Sequence, residues 1–299
     1  MRLGGSRGRA LLALGLSFAL GGATAAAQGK GNGGQGSSSS HGNSSHGKPT
    51  HPGGGPPVTQ IGTPTPATVS LSSWLDDASP LGMGATWLSV AAADWRSDSG
   101  RELEVPIVSI ATGVAPRVSL GASMPVYHFQ DVSGTTQNGI GDVPLFAKVV
   151  LMNPAEGSRH VGVALTPLVD VSSEAAADGA SRVTWAVPVS VEARMTHARV
   201  YGSGGYFSSG AVFGTGALEV AIAPRVRVTA TLGESYATRV DAAAVGASRH
   251  RTDISASAAV LVNRGAAVFA AVGHAFSGTP AVDGGPWIAG GLAVRLARR

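Results

Sequence analysis

The chain contains no cysteine. That excludes disulfide bonds, thiol nucleophiles and thiolate-held metals, and it suits a polypeptide that passes through an oxidising compartment. Charge is also scarce: Asp, Glu, Lys and Arg make up 13% of 299 residues, about half the usual quarter. The formal net charge is +4, but the cations are scattered and no basic run is interleaved with aromatics, so nucleic acid is not an expected partner. There is no H-E-x-x-H, no G-x-S-x-G elbow, and no G-x-G-x-x-G between a strand and a helix. His128, His160, His197, His250 and His274 stand on separate segments. No catalytic set, no metal centre and no cofactor site is therefore expected, and the chain is read as a non-enzyme. A hydrolase assembled from distant strands is the one catalytic alternative. Long hydrophobic runs are missing too. The single apolar stretch, from Ala10 to about Leu20, is too short to span a bilayer comfortably as a helix.

That stretch has another use. Arg2, Arg7 and Arg9 precede it, and Ala25 and Ala27 end it with an A-x-A site. Residues 1–27 read as a secretory signal peptide. Residues 28–70 are rich in Gly, Ser and Pro and cannot bury enough surface to fold, so they read as a disordered periplasmic linker. His41, His46 and His51 fall within it and are read as solvent-exposed linker residues rather than metal ligands. "LSSWLDD", residues 71–77, reads as a helical turn or short cap at the start of the folded domain, residues 71–299.

From Met83 onward the pattern is strand after strand. In "RVTWAVPVSVEAR", Val183, Trp185, Val187, Val189, Val191 and Ala193 alternate with Arg182, Thr184, Ala186, Pro188, Ser190, Glu192 and Arg194. Period two gives a ribbon with two unlike faces. The same holds where Leu120, Ala122, Met124 and Val126 oppose Ser119, Gly121, Ser123 and Pro125, and where Ile288, Leu292 and Val294 oppose Trp287, Gly291 and Ala293. The bulky face is apolar; the other is small or polar. A soluble sandwich wants bulk inward, whereas a membrane barrel turns its apolar face to lipid and its polar face to the lumen. Twelve segments are expected: 83–95, 101–112, 115–129, 143–153, 158–170, 182–195, 197–208, 211–222, 224–236, 249–262, 265–276 and 286–297. Many exceed the five or six residues of an ordinary soluble strand, and backbone in lipid requires closure. Short connections near 113, 153–159, 195–197, 223–225 and 263–265 alternate with longer ones at 130–141, 170–181, 236–249 and 277–285, with two short exceptions on the longer side around Ser97–Gly100 and Ser208–Gly210, as periplasmic turns alternate with external loops. The expected fold is an all-β, closed, antiparallel, up-and-down transmembrane barrel of about twelve strands.

Parity then assigns residues. Lys148, Arg182, Glu192, Arg194, Glu219, Arg225, Arg227, Asp253 and Arg295 point to the lumen, because a charge facing lipid at mid-depth costs ~2–4 kcal/mol. They either pair with one another and fill the space or bias the passage of an anionic solute. Trp87, Trp95, Tyr127, Phe129, Tyr206, Tyr236, Phe276 and Trp287 lie near strand ends, and a partial interfacial girdle is expected from them. Trp185 sits centrally with the lipid-facing set. Pro106, Pro125, Pro144, Pro167 and Pro188 interrupt strands and are expected at bulges near the rim.

The stretch "NGIGDVPLFAKVVL", Asn138 to Leu151, resembles the outer-membrane transporter family named for the meta-pathway of phenol degradation, through Gly139, Gly141, Asp142 and Lys148. The resemblance in style extends over roughly residues 83–297. It implies a barrel fold and uptake of small hydrophobic or aromatic compounds. The chain departs from outer-membrane barrels in its last strand, which carries Leu296 where an aromatic residue is usual. The leading expectation is a channel or transporter in the outer membrane of a Gram-negative cell. Its partners would be outer-membrane lipid, the barrel insertion machinery and a small-molecule solute. The alternatives are a structural or interaction barrel with a plugged lumen, and a soluble secreted all-β protein.

Overall fold

The structure, a computed structural model, describes residues 77–97, 100–154, 160–171, 183–208, 210–238, 250–277 and 285–296. The expected signal peptide, the linker and Arg182 lie outside these residues.

Fifteen strand segments follow one another: β1 (Thr86–Ser97), β2 (Gly100–Ala115), β3 (Val118–Asp131), β4 (Thr136–Ile140), β5 (Val143–Met152), β6 (Val161–Leu165), β7 (Leu168–Val171), β8 (Val183–Ala186), β9 (Val189–Arg194), β10 (Ala198–Phe207), β11 (Ala211–Ala223), β12 (Val226–Ala237), β13 (His250–Asn263), β14 (Ala266–Ser277) and β15 (Gly285–Leu296). Three strands are interrupted once each: β4 continues into β5, β6 into β7, and β8 into β9. The wall therefore has twelve antiparallel strands in up-and-down order. It closes where β1 pairs with β15, from Thr86↔Leu296 to Trp95↔Trp287. Closure leaves no free edge, which is what a strand in hydrocarbon requires.

Each expected strand is present with its ends moved by a few residues. The largest difference is β4, whose residues the sequence assigned to a loop. The Asp131 carboxylate accepts from the backbone N–H groups of Ser133 and Thr135, both at 2.8 Å, and turns the chain tightly. The β3–β4 hairpin consequently runs on to Gln130↔Thr136.

The wall has the two faces that alternation predicts. Val183, Trp185, Val187, Val189 and Val191 are 40–50% exposed on the outside. Leu120, Ile254, Val272, Ile288 and Leu292 share that surface, which runs around the barrel. An apolar surface this continuous has no place in water, and a single sheet closed on itself has no partner sheet to cover it. The soluble reading is overturned on both counts. Val272→Arg, on the lipid side at mid-wall, is expected to lower stability by about 2–4 kcal/mol. Ser257→Arg, facing the lumen, is expected to cost far less, and thermal loss of heat-modifiable gel mobility compares the two.

Two expectations need correction. The prolines are not at the rim. Pro106, Pro125, Pro144, Pro167 and Pro188 fall near mid-height on neighbouring strands, and Pro167 and Pro188 lie in the strand interruptions. A proline cannot donate to the ladder, but its carbonyl still accepts. Pro167 receives the Ala147 N–H at 3.0 Å, Pro188 the Thr166 N–H at 2.9 Å and Pro125 the Gly141 N–H at 2.9 Å, which holds the strands together across the gaps. The aromatic girdle is partial, and several of its candidate members lie elsewhere. Tyr206, Tyr236 and Phe276 are exposed on the outside, but Trp87, Tyr127, Phe129 and Trp287 are buried inside, and Trp95 packs on Trp287 with ring centroids 5.2 Å apart. Glycines on the inner face make room for these rings. A Cβ on Gly139 would stand 2.8 Å from the Tyr127 ring, and one on Gly273 would enter the Trp287 indole. Ring size is thus accommodated inward, and the lumen is narrowed by it.

Candidate gate at the periplasmic mouth

The short turns, after β2, β5, β9, β11 and β13, define one end of the barrel as periplasmic. Just inside that end the inner face carries charge. The register explains how. Arg199, second in β10, faces Glu219 on β11 and Arg194 on β9. Glu192 lies two residues from Arg194 on the same face, and Lys148 faces Ser119 across the β3–β5 ladder. Lys148, Glu192 and Glu219 have 0% exposure, and Arg199 is buried beside them.

The segment before β1 completes the cluster. Asp77, Ala78, Ser79 and Leu81 are all buried. The Asp77 carboxylate takes the Lys148 ammonium at 2.7 Å and an Arg199 Nη at 2.9 Å, and Lys148 also donates to the Asp77 carbonyl at 2.8 Å. Glu192 accepts from the Ala78 N–H at 3.1 Å and the Ser79 hydroxyl at 2.7 Å. Arg194 binds Glu192 at 2.6 Å and also donates to the Ser79 hydroxyl. On the far side, Glu219 is shared by Arg199 at 3.0 Å and Arg227 at 3.2 Å. At the other end of the segment the Leu81 N–H donates to the Ser119 hydroxyl at 3.1 Å, and Met83 bridges Gly113. Within seven residues the chain contacts β2, β3, β5, β9 and β10 from within. It crosses the mouth, held by three carboxylates against four cations.

Desolvated charges need such company. An isolated buried ion costs several kcal/mol, and only close pairing with full hydrogen bonding repays it. Here each carboxylate has at least two polar partners. The Arg199 guanidinium, 4.6 Å from the Tyr201 ring centroid, is also backed by an aromatic face.

Of the residues that parity assigned to the lumen, Lys148, Glu192, Arg194, Glu219 and Arg227 meet in this cluster. Asp253 is elsewhere, paired with Arg251 at 3.1 Å in the extracellular half. Arg295 is exposed at the periplasmic end of β15. Arg225 is instead an exposed turn residue between β11 and β12, because a bulge at Ala221/Ala223 ends the ladder before it. Asp77 and Arg199 were missed. A signal for Asp77 existed: the lumen set carried more cations than anions, so another carboxylate was owed. Arg199 was hidden by the glycine-rich β10, which alternates weakly.

Beyond the gate the lumen changes character. Glu102 and Glu104 on β2, Asp142 between β4 and β5, and Asp170 on β7 bring carboxylates to one wall, and Asp142 acts electrostatically on both Glu104 and Asp170. Glu104 accepts from the Trp95 indole. Phe207 and Phe213 pack as a tilted pair, ring centroids 4.9 Å apart, on another part of the wall. The motif glycines serve packing there: Gly139 admits Tyr127, and a Cβ on Gly141 would stand 2.9 Å from the Pro125 ring. On the outer surface His128 and Asn138 share a hydrogen bond at 2.7 Å, and Leu103 stands at the register position facing His128. Among the described residues no three His, Asp or Glu side chains converge to hold a metal ion.

No family model and no curated protein matches the chain. Solved structures do. An outer membrane channel from Pseudomonas putida F1 superposes with a TM-score of 0.57 at 11% identity, over 74% of this chain and 98% of that one. The NanC porin gives 0.52 at 11% identity, over 70% of this chain and all, 100%, of its own. At such identity the likeness is one of fold, and the fold is that of an outer-membrane barrel.

Proposed function

We propose that this barrel is a non-catalytic conduit for small solutes across the outer membrane, gated at its periplasmic mouth by residues Asp77–Leu81. The observation that carries the proposal is the ion-pair cluster holding that segment. A barrel meant only as a wall could fill its neck with its own strands, as aromatic residues fill parts of this one. Here the closing element is a piece of chain outside the strands that leads into β1 and is fastened by side-chain bonds. Such bonds are strong against leakage and still exchangeable for water.

The inner wall beyond the segment supports a solute class. Rings at Trp95, Trp287, Phe207 and Phe213 make part of it apolar, and the carboxylates at Glu102, Glu104, Asp142 and Asp170 favour positive charge. Small aromatic solutes, cationic ones most of all, suit that combination. The motif resemblance around Gly139 and Lys148 points toward aromatic compounds as well.

The test is flux from proteoliposomes. Phenyltrimethylammonium, a permanent aromatic cation, is expected to pass faster than arabinose, and both faster than from empty vesicles. Equal rates for the two solutes overturn the solute class. No flux from either the full protein or a form lacking Asp77–Leu81 overturns the conduit.

A further inference from the structure

The periplasmic rim carries a feature that the gate does not use. Each of its five turns ends in or contains a basic side chain: Arg117 after β2, His160 before β6, His197 after β9, Arg225 after β11 and Arg264 after β13. All five residues are exposed. Because each turn joins two neighbouring strands, these positions recur at every second strand along the run from β2 to β14. At the opposite rim Arg96 and Arg101 both pair with Asp94, at 3.5 and 2.8 Å.

The setting of the basic residues identifies their partner. Beside them, at the edge of the lipid-facing surface, stand Val114, Met152, Met195, Ile222 and Val262, all strongly exposed. An aliphatic side chain next to a cation, repeated along an arc, fits the boundary of a bilayer, where hydrocarbon meets a charged headgroup layer. A soluble acidic protein would need its cations gathered on one side. An arc that follows ten of the twelve wall strands fits many small anions in a plane. We propose that the periplasmic rim is a collar that binds the phosphodiester groups of anionic phospholipids in the inner leaflet of the outer membrane, with Arg117, Arg225 and Arg264 as its principal contacts. The collar fixes the depth at which the barrel sits, so the gate stays level with the inner headgroups.

The test uses the full protein, purified in detergent and exchanged into nanodiscs that contain equal amounts of phosphatidylglycerol and phosphatidylcholine. Lipids retained on the released protein are counted by native mass spectrometry. A basic side chain at an anionic surface is worth roughly a fivefold preference, so the wild-type protein is expected to retain phosphatidylglycerol with a clear excess that shrinks as salt rises. The Arg117→Gln, Arg225→Gln, Arg264→Gln triple variant is expected to retain the two lipids about equally, while Arg96→Gln with Arg101→Gln at the other rim leaves the preference intact. Heat-modifiable mobility confirms that each variant is folded. Equal retention by the wild-type protein overturns the collar, as does an undiminished phosphatidylglycerol preference in the folded triple variant.

Discussion

Asp77→Asn is expected to open the barrel. In the closed state the Asp77 carboxylate pairs with both Lys148 and Arg199. Asparagine keeps the shape and some of the hydrogen bonds but removes the charge, and two cations then face a neutral partner in a desolvated neck. Breaking a buried pair by losing one member costs about 3–5 kcal/mol. Each 1.4 kcal/mol is a factor of ten, so the closed-to-open ratio should fall by about two orders of magnitude or more. In planar bilayers the wild-type protein should rest mostly at its low-conductance level and the variant should visit a larger one for much of the recording. Deleting Asp77–Leu81 should give the same larger level without transitions. Indistinguishable traces from folded wild-type protein and the deletion would mean that the segment is not the gate. Ser79→Ala gives an intermediate case. It removes a hydroxyl that links Glu192 to Arg194 but no charge, so its effect should be smaller than that of Asp77→Asn.

The barrel was legible in the sequence because membrane strands state their rule at every second residue. Val183, Trp185, Val187, Val189 and Val191 read as lipid-facing and are so. Their neighbours Ser190 and Glu192 read as lumenal and are buried inside. The gate was only half legible. Lys148, Glu192, Arg194, Glu219 and Arg227 sit on strands, and parity places any strand residue. Asp77 sits on irregular chain, where no period applies, and its role depends on contacts to residues 71 and 122 positions away. Parity also sorts residues by face but not by size. It cannot say that Gly139 and Gly273 leave space for rings, and so Tyr127 and Trp287 were placed at an interface although their faces are inward. Proline showed the same limit. Absence of an N–H tells where a ladder must break, but the depth of the break follows from register. Five such residues at similar heights on neighbouring strands were visible only once the strands were aligned.

Arg199→Met is expected to be the most destabilising single change in the wall. This guanidinium holds Asp77 at 2.9 Å, Glu219 at 3.0 Å and, more loosely, Glu192 at 3.5 Å. It links the segment to two strands at once. Methionine fills much of the volume, so the loss is electrostatic: three buried carboxylates remain with Lys148, Arg194 and Arg227, and the latter two are partly in water. A penalty of about 3–5 kcal/mol is expected, read as a lower temperature for conversion to the unfolded gel band. Glu219→Leu added to Arg199→Met should recover a large part of it, because replacing both members of a buried pair by apolar groups removes the stranded charge along with the bond. The two changes are in direct contact, so their effects must not add. The pair also separates stability from gating. Arg199→Met with Glu219→Leu should restore the melting temperature yet leave Asp77 with Lys148 alone, so the barrel should be sturdy and more often open. If the recovered stability brings back the closed level in full, Lys148 by itself is sufficient to hold the segment and Arg199 belongs to the wall rather than to the gate.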